Sequence, residues 1–237
     1  MKPILILKTG QTIEALLRQG EDFEDWIVAG AQLQAGDYCV CDAYSGASFP
    51  AIASLAGIIV TGSPAMVTER EPWSEACAQF LREAFEINLP ILGICYGHQL
   101  IAHACGGEVG YHPQGREIGT VAIQLLETAK TDPLFDALPG PFLGHTTHSQ
   151  SVLRLPPNAV LLAKSQHDPH QAFRLGDNAW GVQFHPEFRA DHMRAYIEAR
   201  QEELLEEKFD VQMLRSGVKA TPEATSLLQR FVQLAAY

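Results

Sequence analysis

Along the first hundred residues, short apolar runs alternate with stretches whose apolar positions recur every three and four residues. Ile4-Leu5-Ile6-Leu7, Asp37 to Asp42, Gly57-Ile58-Ile59-Val60-Thr61 and Leu89-Pro90-Ile91-Leu92 read as strands. Their near-continuous apolar character marks strands buried on both faces. Between them the pattern predicts a helix from the Thr9-Gly10-Gln11-Thr12 turn through Arg18, and a second helical turn from Gly20 through Trp26 towards Gly30. A longer helix is predicted from Trp73 to Ile87, where Trp73, Cys77, Phe80, Leu81 and Ala84 fall on one stripe. Strands alternating with amphipathic helices build a parallel sheet covered on both sides.

From Glu108 onward the pattern changes. Ile118 to Leu126, Phe142-Leu143, Val152 to Leu155, Ala159 to Ala163, Gln171 to Leu175 and Ala179 to Phe184 are short runs divided by turns such as Pro156-Pro157-Asn158 and Gly176-Asp177-Asn178. They predict antiparallel or mixed strands that extend the sheet. Two helices close the chain, Ala190 to Lys208 and Thr221 to Ala236, separated by Arg215-Ser216-Gly217. Glu202, Glu203, Glu206 and Glu207 read as a solvated helix face. The expected fold is α/β, with a mainly parallel central sheet, helices on both faces and a smaller antiparallel or mixed strand region. One domain over 1–237 is expected, with 1–188 as the core and 189–237 as helices packing on it.

Composition narrows the function classes. With 237 residues, 46% hydrophobic and 19% charged, the chain can bury a core without disulfide or metal. A net charge of -11 with scattered Lys and Arg argues against nucleic acid or an anionic membrane as partner. No apolar run approaches the ~20 residues of a membrane span. Met1-Lys2-Pro3 passes straight into the first strand, so no secretory leader is expected. The five cysteines form neither a ladder nor a paired zinc pattern, and a cytoplasmic location is expected.

Chemistry concentrates at Gly93-Ile94-Cys95-Tyr96-Gly97, where a buried strand meets a helix beginning near Gly97. Glycines two residues either side of Cys95 are the layout of a nucleophile elbow, a turn tight enough to strain the reactive residue. A base is offered by Gly181-Val182-Gln183-Phe184-His185-Pro186-Glu187. In extended backbone residues i and i+2 share a side, so Glu187 can orient His185 and leave its other ring nitrogen for the thiol. The helix dipole behind Cys95 favours a thiolate. Tyr96 N–H is one oxyanion donor, and the Gly62-Ser63-Pro64 turn is the candidate for the second. Cys39, Cys41, Cys77 and Cys105 read as core residues, as do Trp26, Trp73 and Phe80. His145 with His148, and His167 with His170, have ligand-like spacing, but their surroundings read as loops and no cysteines accompany them, so no metal is expected.

Gly93-Ile94-Cys95-Tyr96-Gly97-His98-Gln99 resembles the G-x-C-x-G-x-Q motif of class I, triad-type glutamine amidotransferases, and Gly181 to Glu187 resembles their G-x-Q-x-H-P-E motif. Gly106-Gly107-Glu108-Val109 and Arg116-Glu117-Ile118-Gly119 look like the segment after the elbow in GMP synthase amidotransferase domains. The resemblance covers about 4–188 and implies a flavodoxin-like fold, a Cys95, His185, Glu187 triad, an oxyanion hole at Gly62, Ser63 and Tyr96, and no cofactor. It also implies that Gln99 holds the backbone end of glutamine and that His148, Ser149 and Gln150 lie on the loop covering it. Gly62-Ser63-Pro64 replaces the usual Gly-Gly-Pro, so Ser63 is expected to take a backbone geometry easier for glycine.

The implied activity is hydrolysis of glutamine to glutamate and ammonia through a cysteinyl thioester, with ammonia passed to a separate acceptor enzyme. The sequence contains no P-loop and no Ser-Gly-Gly-x-Asp signature for activating an acceptor. The alternatives are a self-sufficient hydrolase of γ-glutamyl peptides or amides, and a non-catalytic regulatory module on the same fold, against which the intact Cys-His-Glu set speaks.

Overall fold

The computed structural model describes residues 2–236. Its first half runs β1 (Ile4–Lys8), α1 (Glu14–Leu17), α2 (Phe23–Ala31), β2 (Tyr38–Asp42), β3 (Gly57–Val60), α3 (Pro72–Glu86), β4 (Ile91–Ile94) and α4 (Tyr96–Ala104). Strands β5 (Glu108–Tyr111), β6 (Glu117–Leu125), β7 (Phe142–His148), β8 (Gln150–Arg154), β9 (Val160–Lys164), β10 (Ala172–Leu175) and β11 (Ala179–Val182) follow. Helices α5 (Ala190–Ala199), α6 (Gln201–Glu206), α7 (Val211–Gly217) and α8 (Pro222–Ala235) complete it.

Nine strands form one sheet in the order β2-β1-β3-β4-β11-β10-β9-β6-β7. The first five are parallel neighbours; from β11 to β7 every pair is antiparallel. This is the parallel centre with an antiparallel extension that the apolar pattern predicts. The continuous apolar strands follow from burial on both sides. Ile4 and Ile6 of β1 join a core with α2 and α8, through Ile27, Leu228 and Phe231, while Leu5 and Leu7 join another with α3 and α4, through Leu81 and Leu100. A third apolar cluster, including Phe23, Phe188, Tyr196 and Leu204, packs α5 and α6 against the carboxyl ends of the strands. Among the described residues no helix is long and apolar enough to cross a membrane.

Four local expectations are corrected. The Val152 run pairs with Glu108–Tyr111 as a separate two-stranded ribbon, β5-β8, because β8 turns away after Ser149 and buries Val152 against α4. The predicted helix from Ala190 to Lys208 breaks at Arg200, with φ -106° and ψ 15°. Arg215-Ser216-Gly217 lies within α7, whose start is capped by the Asp210 side chain accepting from Met213 N–H. His145 and His148, expected in a loop, belong to β7.

Candidate active site

In an open α/β sheet the carboxyl ends of the parallel strands form the natural ligand crevice, and the residues that carry chemistry gather there. Cys95 N–H donates to Val182 O at 2.8 Å, extending the β4-β11 ladder by one bond. The chain then turns into α4 with Cys95 at φ 50° and ψ -97°, a region that a residue with a Cβ avoids. Sterics explain the flanking glycines. A Cβ on Gly93 would lie 2.4 Å from the carbonyl of Gly97, and one on Gly97 would lie 2.7 Å from Val60 O.

His185 follows β11, and its N–H donates to His145 O at 2.7 Å. Its ring Nδ1 is 2.7 Å from Glu187 Oε1, and the ring stacks on Phe188 at 4.1 Å between centroids. Nε2 is buried with no hydrogen-bond partner among the described residues. With Nδ1 fixed by the carboxylate, the free nitrogen is left for the Cys95 sulfur. All three side chains are at most 6% exposed.

Burial opposes ionisation of the Cys95 thiol, yet attraction from His185 beside it outweighs burial and holds the thiol below its ordinary value. Cys77 is the contrast: equally buried but with no cation beside it, its thiol is pushed up to about 12. Burial likewise opposes protonation of His185, but the Glu187 and Cys95 charges overcome it and raise the imidazole to about 10. Thiolate facing imidazolium is therefore the favoured state of the pair. The first turn of the nine-residue helix α4, directly after Cys95, adds its positive dipole end.

A cavity of about 230 Å³ opens beside Cys95, lined by Ser63, Tyr96, Gln99, Ser149 and Gln150 among others. The N–H groups of Ser63 and Tyr96 donate to no acceptor among the described residues. Ser63 does not take a positive φ, contrary to the strain expected of it; the strain sits at Cys95. Its hydroxyl accepts from Ala65 N–H at 3.1 Å, a local turn that serine supports without left-handed backbone. Gly62 leaves room for the His185 ring, since a Cβ there would meet His185 Cε1 at 3.0 Å.

Gln99 donates from Nε2 to Gln150 O at 2.7 Å and to Gln183 Oε1 at 3.0 Å. Both ring nitrogens of His148 are also engaged, Nδ1 with Gln150 O at 2.9 Å and Nε2 with Glu117 Oε2 at 3.0 Å. These two residues therefore brace the loop that carries Ser149 and Gln150. Gln150 donates to Thr68 at 2.6 Å and keeps a buried, unpartnered Oε1. Burial disfavours a charged His148, but Glu117 more than compensates and raises it above its usual value. Among the described residues no three His, Cys, Asp or Glu side chains are grouped to hold a metal ion.

Sequence reasoning missed four residues that line this region: Thr12, Arg116, Tyr196 and Arg200. Arg116 lies in the segment after the elbow, where no local pattern assigns it a role. Arg200 arrives at the site through the unforeseen break between α5 and α6.

The family model for "Glutamine amidotransferase class-I" matches residues 43–202. The chain is 40% identical over 134 residues to a glutamine-hydrolysing GMP synthase of Thermosipho africanus, covering 56% of this chain and 24% of that protein. It is 39% identical over 132 residues to one subunit of the glutamine-hydrolysing GMP synthase of Pyrococcus abyssi, covering 55% of this chain and 65% of that one. The chain thus spans about a quarter of the length of the undivided synthases it matches. A solved structure of a glutamine amidotransferase from Thermotoga maritima superposes with a TM-score of 0.78 over 99% of this chain and 98% of that one at 22% identity. That likeness covers β1 to β2, where the family model does not reach.

Proposed function

The chain belongs to the class-I glutamine amidotransferase family, and from that premise we propose that it hydrolyses the side-chain amide of glutamine, passing the ammonia to a separate acceptor enzyme. In this reading Cys95 thiolate attacks the amide carbonyl, and the oxyanion is held by the N–H groups of Ser63 and Tyr96. His185 Nε2 gives its proton to the departing nitrogen as the C–N bond breaks. The base form of His185 then takes a proton from water, whose oxygen attacks the thioester. Glutamate leaves and the thiolate facing imidazolium is restored. Glu187 holds the ring in orientation throughout. Gln99 and His148 hold the loop of Ser149 and Gln150 against the backbone end of the substrate.

One observation carries this reading: a strained cysteine at a helix N-terminus facing a histidine whose Nδ1 is held 2.7 Å from a buried carboxylate. The test is release of glutamate from glutamine by the purified chain, with Cys95→Ala as control. The variant should lose at least a thousandfold in rate and all labelling by a glutamine-like diazoketone; unchanged labelling would remove Cys95 from the role. The Pyrococcus abyssi relative, named as one part of a divided GMP synthase, supports a synthase as the partner, and added partner should then raise the rate. A second reading, hydrolysis of γ-glutamyl peptides by the same three residues without any partner, draws on a second cavity at the sulfur.

A further inference from the structure

Cys95 and the Ser63-Pro64 turn stand between two cavities. The larger contains Gln99, Ser149 and Gln150 but not His185. The smaller, of about 110 Å³, contains His185 together with Thr12, Phe23, Tyr196 and Arg200. A general acid must lie beside the atom it protonates. The bond to be broken therefore spans the two: the γ-glutamyl part occupies the larger cavity, and the departing nitrogen enters the smaller. Ammonia is about the size of one water, which needs roughly 10–15 Å³ of such cavity volume, so the smaller cavity has room for several more heavy atoms.

The lining of this smaller cavity is selective. None of its lining residues is acidic, and its cations are His185 and Arg200. Arg200 sits over the Tyr196 ring at 5.9 Å, with Nη1 3.5 Å from Glu203 and a buried Nε that has no hydrogen-bond partner among the described residues. Glu203 lines the other cavity, and Arg200 reaches both. The wall is also built firmly. Tyr196 OH and Thr12 Oγ1 lie 2.8 Å apart, joining α5 to the loop after β1. Asp22 accepts from Thr12 N–H and Phe23 N–H, each at 2.8 Å, fixing two lining residues at once. Lys8 in turn pairs with Asp22 at 2.7 Å, both buried.

We propose that the cavity on the His185 side is a leaving-group pocket for the amine of a γ-glutamyl amino acid, with Arg200 pairing the carboxylate of that departing amino acid. The inference rests on the reading that Cys95 attacks a γ-glutamyl carbonyl, and it makes glutamine the smallest member of the substrate class. Bond changes balance as before. The C–S bond forms as the C–N bond breaks, the His185 proton goes to the amine nitrogen, and water then cleaves the thioester to give glutamate and the free amino acid. An arginine at this place supplies the paired donors suited to a carboxylate.

The experiment compares glutamine, γ-glutamyl-glycine and γ-glutamyl-glycinamide on the purified full chain. The pocket predicts that γ-glutamyl-glycine is hydrolysed as well as glutamine, with kcat/KM at least fivefold above the glycinamide, which needs no variant to read. In Arg200→Gln the ratio of γ-glutamyl-glycine to γ-glutamyl-glycinamide should fall at least fivefold, and Arg200→Lys should restore part of it. Glutamine hydrolysed with neither dipeptide accepted overturns the pocket and leaves the glutaminase reading standing. A ratio unmoved by Arg200→Gln overturns the role of Arg200. Turnover of none of the three overturns both.

Discussion

Gln99 Nε2 lies 3.0 Å from Gln183 Oε1, so the last residue of the elbow motif hydrogen-bonds to the third residue of the His-Pro-Glu motif across 84 positions of sequence. The same amide nitrogen donates to Gln150 O at 2.7 Å. One side chain thus ties the helix behind Cys95, the strand leading to His185 and the loop over the larger cavity. Two motifs that look independent along the chain are parts of one buried hydrogen-bond network.

Replacing this amide by a side chain of similar volume is a direct test of that tie. Gln99→Met leaves Gln183 Oε1 buried without this donor and Gln150 O with His148 Nδ1 as its remaining side-chain partner, and an unsatisfied buried group costs about 1–3 kcal/mol. Urea denaturation should show a loss of about 2 kcal/mol or more. Because the loop loses its anchor, KM for glutamine should rise roughly tenfold while kcat falls less. An unchanged KM would separate this glutamine from the substrate loop.

In the proposed reaction Glu187 acts through His185, whose Nδ1 lies 2.7 Å from its carboxylate. Glu187→Gln keeps the shape but removes the charge that raises the imidazole, and an amide can present either a donor or an acceptor to the ring. The orientation and tautomer of His185 are then no longer enforced. Proton transfer by a positioned side chain contributes roughly 10²–10⁴ in rate, and kcat should fall within that span, with KM moving little. Steady-state kinetics checks this, and circular dichroism confirms that the fold persists.

The reactivity of Cys95 should have a distinctive pH dependence. The thiolate is the alkylating species, and attraction from His185 outweighs burial to hold this thiol below its ordinary value. Alkylation should therefore rise with pH at values lower than for a free thiol and reach its plateau there. In His185→Asn that attraction is gone, and burial together with the Glu187 charge acts against the remaining pull of His148, so the rise moves to higher pH. At pH 7 the variant should be alkylated at least tenfold more slowly. Iodoacetamide kinetics followed by peptide mass analysis, counting only Cys95, gives the profile; coincident curves would remove His185 as the cause.

How much of this the chain discloses in advance depends on the range of the interaction. The strand-to-helix turn at Cys95 is legible because glycine at 93 and 97 is a local necessity, and the pairing of His185 with Glu187 because the two stand two residues apart just after an apolar strand, although a turn at Pro186 and Glu187, not the extended backbone expected, brings them together. Apolar runs reveal β1, β3 and β4 because both faces are buried. Other features depend on distant partners. The break at Arg200 carries no proline or glycine, and it exists because α5 and α6 must both wrap the Phe23, Phe188 and Tyr196 cluster. The β5-β8 ribbon has a half-exposed strand whose alternation does not distinguish it from a sheet strand. Comparison with the Gly-Gly-Pro motif predicts strain at Ser63; its hydroxyl bond to Ala65 N–H, visible only in three dimensions, shows how serine fits.

The elbow itself supplies the sharpest stability test. Gly93 lies in β4 with ordinary strand neighbours, so nothing in strand propensity forbids alanine. The obstacle is steric and tertiary: the new methyl carbon would sit 2.4 Å from both the C and O atoms of Gly97 and 2.7 Å from His98 N. These are backbone atoms of α4 that cannot swing aside, so α4 must move away from the sheet. Overpacking of well-packed sites costs about 1–3 kcal/mol and sometimes more, and a clash with backbone belongs at the upper end. Gly93→Ala should lose about 3 kcal/mol in urea denaturation and most of its activity, since a displaced α4 carries Tyr96 N–H away from the site. Gly217→Ala is the matched control. It sits in α7, where an added Cβ meets nothing within 4 Å, and alanine in place of a helical glycine stabilises by about 0.4–1 kcal/mol by restricting the unfolded chain. Opposite signs for the two glycines would locate the cost in the contact between Gly93 and Gly97; equal losses would remove the steric account of the elbow.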